Sequence, residues 1–117
     1  MGFRGVEARP GEAVFEMEPG PQHYNPIGSV HGGVALTLLD SAMSCAVHTL
    51  LEPGVRYTTL EVKTNFVRAI TAGTGLIRCE GAVVHRGGRV ATAEGRIVDA
   101  SGKLLAHGTT TCLILGP

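Results

Sequence analysis

The sequence predicts an α+β domain in which one long, enclosed helix lies against a strongly curved antiparallel sheet of about five strands. Three observations point there. From Gly32 or Gly33 to about Leu51 the residues are nearly all Ala, Val, Leu, Met, Cys, Ser or Thr, with Asp40 and His48 as the only ionisable side chains. A helix apolar on all sides is expected to be buried on all sides. The chain beyond the helix reads as strand after strand joined by short turns. At 117 residues the chain has the length of one domain, enough to bury a core without disulfides or metals, so residues 1–117 are read as one unit.

Along the chain, "GEAVFEME" (Gly11–Glu18) comes first, with Ala13, Phe15 and Met17 opposite Glu12, Glu16 and Glu18, the pattern of a half-exposed strand. Pro19, Gly20 and Pro21 stop it. Gln22 to Val30 contains Asn25-Pro26 and Gly28-Ser29, which are turn formers, and reads as a loop leading into the helix. "EPGV" (Glu52–Val55) ends the helix. In "RYTTLEVKTNFV" (Arg56–Val67), Leu60, Val62, Thr64 and Phe66 share one parity against Glu61, Lys63 and Asn65, a clean two-residue period. "TGLIRCEGAVVH" (Thr74–His85), "GRVATAEGRIVDA" (Gly88–Ala100) and "KLLAHGTTTCLIL" (Lys103–Leu115) come next as hairpins, turning at "RGG" and "DASG". One sheet is not expected to cover the helix fully, so a further surface should close its remaining face.

The 10 basic and 10 acidic residues balance, which argues against nucleic acid or an anionic membrane surface as a partner. Cys45, Cys79 and Cys112 are odd in number and form no CxxC pair, so they read as small buried thiols in a reducing compartment. "MGFRGVEARPGEAV" holds no apolar run that could act as a secretory signal, and Val6 stands where a myristoylation motif needs Ser or Thr. A cytoplasmic protein with no membrane span is the expectation. His23, His48, His85 and His107 have no metal-like spacing.

Asp40 stands out. An unpaired carboxylate in so apolar a helix costs on the order of several kcal/mol, so it needs a partner or a chemical task. "NPIGSVHGG" followed by "LLD" resembles the hotdog-fold acyl-CoA thioesterases of the phenylacetate-pathway (PaaI-like) family, whose pattern is Asn-Pro-x-Gly-x-x-His-Gly-Gly with a helical Asp or Glu a little over two turns later. "YTTLEVKTNFVRAI" is similar to the family's strand motif, with Ala69 where Pro is common, and "RGGRVATAEGRIVDASGKLLAHGTTT" to its last hairpin. The resemblance covers about residues 10–115 and implies a hotdog fold and hydrolysis of an acyl-CoA thioester, coenzyme A being part of the substrate and no separate cofactor being needed.

Such chemistry requires donors for the carbonyl oxygen as it becomes an oxyanion, and a nucleophile or a base that activates water. The first turn of a helix offers free N–H groups at the positive end of its dipole, and Gly32 and Gly33 have no Cβ to keep a carbonyl away. The resemblance makes the Gly32 N–H the oxyanion donor; the glycine pair could equally let the helix pack tightly. Asp40 becomes the catalytic carboxylate, attacking the carbonyl or activating a water. The alternative for Asp40 is a buried acid bonded to a neighbouring Ser or to backbone. His31 precedes the helix and is read as positioning the loop, or packing against substrate and partner, rather than as a base. Asn25 matches the family asparagine that holds the water or the carboxylate, and Thr58, eighteen positions after Asp40, falls where relatives use a hydroxyl to orient water. The coenzyme A phosphates need local cations: Arg86 and Arg89, flanking "GG" in "HRGGR", and Arg68 are the candidates.

Gly32 and Asp40 are eight residues apart, roughly 12 Å along one helix at about 1.5 Å per residue. They cannot both reach one thioester carbon. A second copy whose helix runs antiparallel beside the first would set its Asp40 opposite Gly32, which predicts at least a homodimer, with a homotetramer favoured. The same contact would cover the helix's open face. Two other functions compete. A hotdog hydratase carries a His five residues after its Asp, where this chain has Cys45, and a non-catalytic acyl-CoA-binding module would bind without turnover. Small residues such as Ala35 and Ser44 leave room for a ring or a medium chain, with Tyr24, Tyr57 and Phe66 the aromatic side chains available to stack on it.

Overall fold

The computed structural model describes residues 2–26 and 28–116; Met1, Pro117 and Ile27, which falls in the expected loop, lie outside the described residues. The elements are β1 (Phe3–Arg9), β2 (Glu12–Met17), α1 (Gly32–His48), β3 (Arg56–Phe66), β4 (Ile77–Arg86), β5 (Val90–Asp99) and β6 (Leu104–Leu115), with single 3-10 turns at Pro21–His23 and Ala72–Thr74. The strands form one antiparallel sheet in the order β1-β2-β4-β5-β6-β3, and its buried face wraps α1. This is the hotdog arrangement.

The sheet has six strands, not about five. The added strand is β1, "FRGVEAR", which is exposed along nearly its whole length. A register shift between Gly5 and Glu7 breaks its alternation, so no apolar period marks it in the sequence. Phe3 anchors it, edge-on to the Phe15 ring at 5.8 Å between centroids.

Gly81 and Gly95 let helix and sheet approach, and Gly108 leaves room for the Lys63 carbonyl of β3. Gly81, Gly95 and Gly108 are register partners on β4, β5 and β6 and form a row across the sheet. A Cβ at Gly81 would lie within 2.5 Å of the Ala42 carbonyl and 2.8 Å from the Met43 nitrogen, while one at Gly95 would meet the flexible Met43 side chain at 2.9 Å. The backbone of α1 therefore rests directly on β4, and Leu38, Leu39, Met43, Ile77, Cys79 and Ile97 fill the core around that contact. Beside it, the Cys79 thiol donates to the Leu38 carbonyl at 3.6 Å.

One expectation needs correcting. The helix ends at His48 rather than Leu51, because the next bonds tighten to a three-residue span, Leu50 N–H to Val47 O and Leu51 N–H to His48 O. The Thr49 hydroxyl accepts from Gly11 N–H at 2.7 Å and donates to Ala46 O, fastening that end to the β1–β2 turn. As expected of a single sheet, the helix is not covered all round. Leu36, Asp40, Ser41 and His48 form a stripe that the sheet leaves partly or fully open.

The period of β3 is interrupted as well. The register shifts between Thr59 and Glu61, so Leu60 is an extra residue, 56% exposed. The inward face runs Tyr57, Thr59, Val62, Thr64, changing parity at the bulge. Phe66 shares that side but is 60% exposed at the strand's end. β3 is a sheet edge, eleven residues long.

Cys79 and Cys112 are buried, Cys45 is half-buried, and all three are free thiols. Burial lifts each thiol above its ordinary value of 9.0, Cys79 to about 12 with the Glu80 charge adding, and Cys45 with Asp40 adding. Tyr57 is raised above 10.0, again chiefly by burial. The folded protein holds these protons more tightly than the unfolded chain, so the associated stability is complete below pH 9.0 and is lost as pH climbs toward 12. The urea midpoint should hold steady from neutral pH to about 8.5 and fall between about 9 and 11, less steeply in Cys79→Ala. A flat midpoint across that range in the wild type would show that these groups are not protected as described. No helix among the described residues is long and apolar enough to cross a membrane.

Candidate active site

The N-terminus of α1 is built by its neighbours. His31 is the N-cap: its Nδ1 accepts from Gly33 N–H at 2.9 Å, and its own N–H donates to His23 O at 2.7 Å. With Nδ1 engaged as a cap, neutral His31 carries its proton on Nε2. A Cβ at Gly33 would sit 3.0 Å from that Nδ1, and one at Gly32 would sit 3.1 Å from Phe66 Cζ. Each glycine thus lies close against a side chain, Gly32 against a ring that is largely exposed and Gly33 against the capping imidazole. Among the described residues nothing accepts from the Gly32 N–H, one of the first-turn donors that a helix cannot use itself.

In front of it lies a cavity of about 300 Å³, with Ala35, Val30, Ile70, Val67 and Phe66 among its walls and Arg68 also lining it. A larger groove of about 510 Å³ lies elsewhere, lined by Arg9, Glu12, Arg78, Glu80, Glu94 and Arg96 among others. Its arginines are engaged with carboxylates, Arg96 with Glu80 at 3.1 Å and Arg78 with Glu7 at 3.2 Å, so it reads as a solvated charged surface and the smaller cavity has the better chemistry.

Asn25 closes the turn before the helix. Ser29 N–H donates to its Oδ1 at 3.2 Å, its Nδ2 donates to Ser29 Oγ at 3.3 Å, and Gly28 takes φ +88°, which suits glycine. Asp40 stands two turns along α1, half-buried, and accepts from the Ser44 hydroxyl at 3.2 Å. Its charge adds to the upward shifts of Cys45, Cys112 and Tyr57, each of which is raised chiefly by burial. A neighbouring serine was among the partners the sequence offered Asp40, and the spacing of four on a helix is the signal that singles out Ser44.

Thr58 is not beside Asp40. It pairs with Leu113 and is exposed on the face away from the helix, whereas Thr59 pairs with buried Cys112 on the helix side, its hydroxyl 4.0 Å from the sulfur. Thr59 and Tyr57 are hydroxyl-bearing residues on the helix side of β3, and Ser44 is the hydroxyl bonded to Asp40. Arg68 shares the Gly32 cavity. Arg86 and Arg89 are exposed in the β4–β5 hairpin, where Arg86 bonds Gly87 O. β4 runs alongside α1, Cys79 at Leu38 and Gly81 at Ala42, so that hairpin lies toward the far end of the helix from Gly32. Among the described residues no three His, Cys, Asp or Glu side chains come together to hold a metal.

The hotdog fold thus sets a backbone donor at the start of the helix beside an apolar cavity, with a carboxylate farther along the same helix. The sequence profile of the thioesterase superfamily matches residues 27–106, and the chain belongs to that superfamily. It is similar to 1,4-dihydroxy-2-naphthoyl-CoA hydrolase of Listeria monocytogenes, with 28% identity over 97% of this chain and 91% of that protein. It is also similar to acyl-coenzyme A thioesterase 13 of Homo sapiens, with 28% identity over 91% of this chain and 75% of that protein. Among solved structures, a conserved protein of Pseudomonas aeruginosa superposes with a TM-score of 0.91 at 30% identity, covering 97% of this chain and 89% of that one.

Proposed function

We propose that the protein hydrolyses the thioester of a small aromatic or medium-chain acyl-CoA, as a PaaI-like member of its superfamily, at sites that two copies build together. The observation that carries this is that Gly32 and Asp40 stand on one unbroken helix, roughly 12 Å apart, with the helix stripe bearing Asp40 left open by the sheet. The Gly32 N–H donates to the thioester carbonyl oxygen. Asp40 of the second copy attacks the carbonyl carbon or takes a proton from the water that does. The C–S bond then breaks, the thiolate of coenzyme A leaves and is protonated, and water supplies the oxygen of the acid.

The long free edge of β3, with Leu60, Phe66 and Val67 exposed, favours joining two copies there. The same two-fold would carry the Arg86 and Arg89 hairpin of one copy toward the Gly32 end of the other, where Arg68 already stands, to meet the phosphates. Two such dimers would make the tetramer. The name of the Listeria relative, a hydrolase of an aromatic acyl-CoA, favours a ring in the acyl group.

Mixing two inactive variants tests the shared site. Gly32→Pro deletes the N–H while keeping the helix, because proline suits the first helical position and His31, at φ −58° and ψ 134°, already has the backbone that precedes proline. Paired with Asp40→Asn, each variant alone should release almost no thiol from phenylacetyl-, benzoyl- or hexanoyl-CoA. Unfolded and refolded together, they should recover about a quarter of the wild-type rate, since half the dimers are mixed and one of two sites in each is intact. No recovery would place Gly32 and Asp40 in one chain's site. Saturable binding by wild type without thiol release would instead favour a non-catalytic acyl-CoA-binding module.

A further inference from the structure

We infer that Phe66 sets the size of acyl group the protein accepts, its ring serving as the adjustable wall of the cavity over Gly32; this rests on the thioesterase reading above. The other walls are pinned. Val30 N–H donates to Ile70 O at 2.7 Å, Ala72 N–H to the Tyr24 hydroxyl at 2.6 Å, and the N–H groups of Val67 and Arg68 share Leu105 O at 2.9 and 3.0 Å. Ala35, at the cavity's base, is buried in the core. Phe66 is different: a large aromatic residue, 60% exposed, at the last position of an edge strand, with its ring against a glycine.

The lining chooses between the two ends of the substrate. Val30, Ala35, Val67 and Ile70 present hydrocarbon, and Ser29 and Arg68 are the polar side chains of the lining, so the amides of a pantetheine arm would lose water against most of the wall. An acyl tail loses nothing. With the carbonyl oxygen at the Gly32 N–H, the carbons just beyond it run against the ring whose Cζ occupies the space next to that residue. The ring therefore limits width and length at the start of the acyl group, and its removal should open the cavity without touching the donor or the carboxylate.

The test is a ratio. For the full-length wild type, Phe66→Ala and Phe66→Leu, kcat/KM is measured for butyryl-, hexanoyl-, decanoyl- and naphthoyl-CoA, and Kd for the matching non-hydrolysable thioether analogues. Phe66→Ala should raise the decanoyl-to-butyryl and naphthoyl-to-butyryl ratios by about 10-fold or more, the scale at which an apolar pocket discriminates a methylene or so, with Phe66→Leu between. A partial loss of assembly lowers all rates alike and leaves the ratios unchanged. Ratios equal to wild type overturn the inference. So does a KM that rises alike for every acyl-CoA but not for N-acetylcysteamine thioesters, which would put the ring on the pantetheine arm. If the wild type releases no thiol at all, the thioesterase reading fails, and the Kd ratios alone decide: a shift toward bulky analogues in Phe66→Ala upholds the size-setting ring, and unchanged ratios overturn it.

Discussion

Asp40→Asn should lower kcat for thioester hydrolysis by about 10²- to 10⁴-fold, the range set by losing a positioned base, and by at least as much if Asp40 is the nucleophile. The fold should be untouched. Asparagine keeps the size of the side chain and the Oδ1 atom to which Ser44 donates at 3.2 Å, so what disappears is the charge and the ability to take a proton or attack. Because the open stripe leaves Asp40 only half-buried, removing its charge neither frees a buried cation nor opens a hole, and the urea midpoint should stay within about 1 kcal/mol of wild type. Thiol release and urea unfolding on the same preparation check both halves. Wild-type turnover in a folded Asp40→Asn protein would remove the carboxylate from the chemistry and leave Ser44, Tyr57 and Thr59 as the polar groups to examine next.

Gly81→Ala should be among the most destabilising small substitutions in the chain, by about 3 kcal/mol or more, and Gly81→Val should prevent folding. The added methyl would fall within 2.5 Å of the Ala42 carbonyl, and relief requires moving the helix off the sheet, since backbone has no other rotamer. Gly95→Ala meets the Met43 side chain instead, which can turn aside, and should cost about 1 kcal/mol. Gly88→Ala, with nothing within 4 Å, should stay within about 0.5 kcal/mol. Urea midpoints of the three variants give the ranking directly. A Gly81→Ala protein as stable as Gly88→Ala would mean that the helix does not rest on β4 as described. Because Gly32 and Asp40 ride on that helix, a partly folded Gly81 variant should also lose activity beyond its loss of folded material.

The fold class, the helix from Gly32 onward, the hairpins that carry β4 to β6, and the Asn25, Gly32, Asp40 series within its motif were all legible in the amino-acid order. Those features rest on short-range chemistry: composition along a helix, alternation along a strand, Gly and Pro in turns, and a contiguous pattern that a family shares. The spacing of Gly32 and Asp40 could be read too, because rise per residue is a property of any helix. Which way side chains face once the regular period breaks was settled by the folded arrangement alone. The bulge at Leu60 inverts the parity of β3, turning Thr58 outward and Thr59 toward Asp40, and the shift at Gly5 hides β1 altogether. A bulge is an accommodation between two strands far apart in the chain, so neither strand's residues announce it. The row of Gly81, Gly95 and Gly108 has the same origin: each is an ordinary strand glycine until the register brings the three side by side, the first two beneath α1. That one sheet would leave part of the helix open follows from the element count, but which residues form the open stripe depends on how far the curved sheet reaches around a cylinder, which no local pattern encodes.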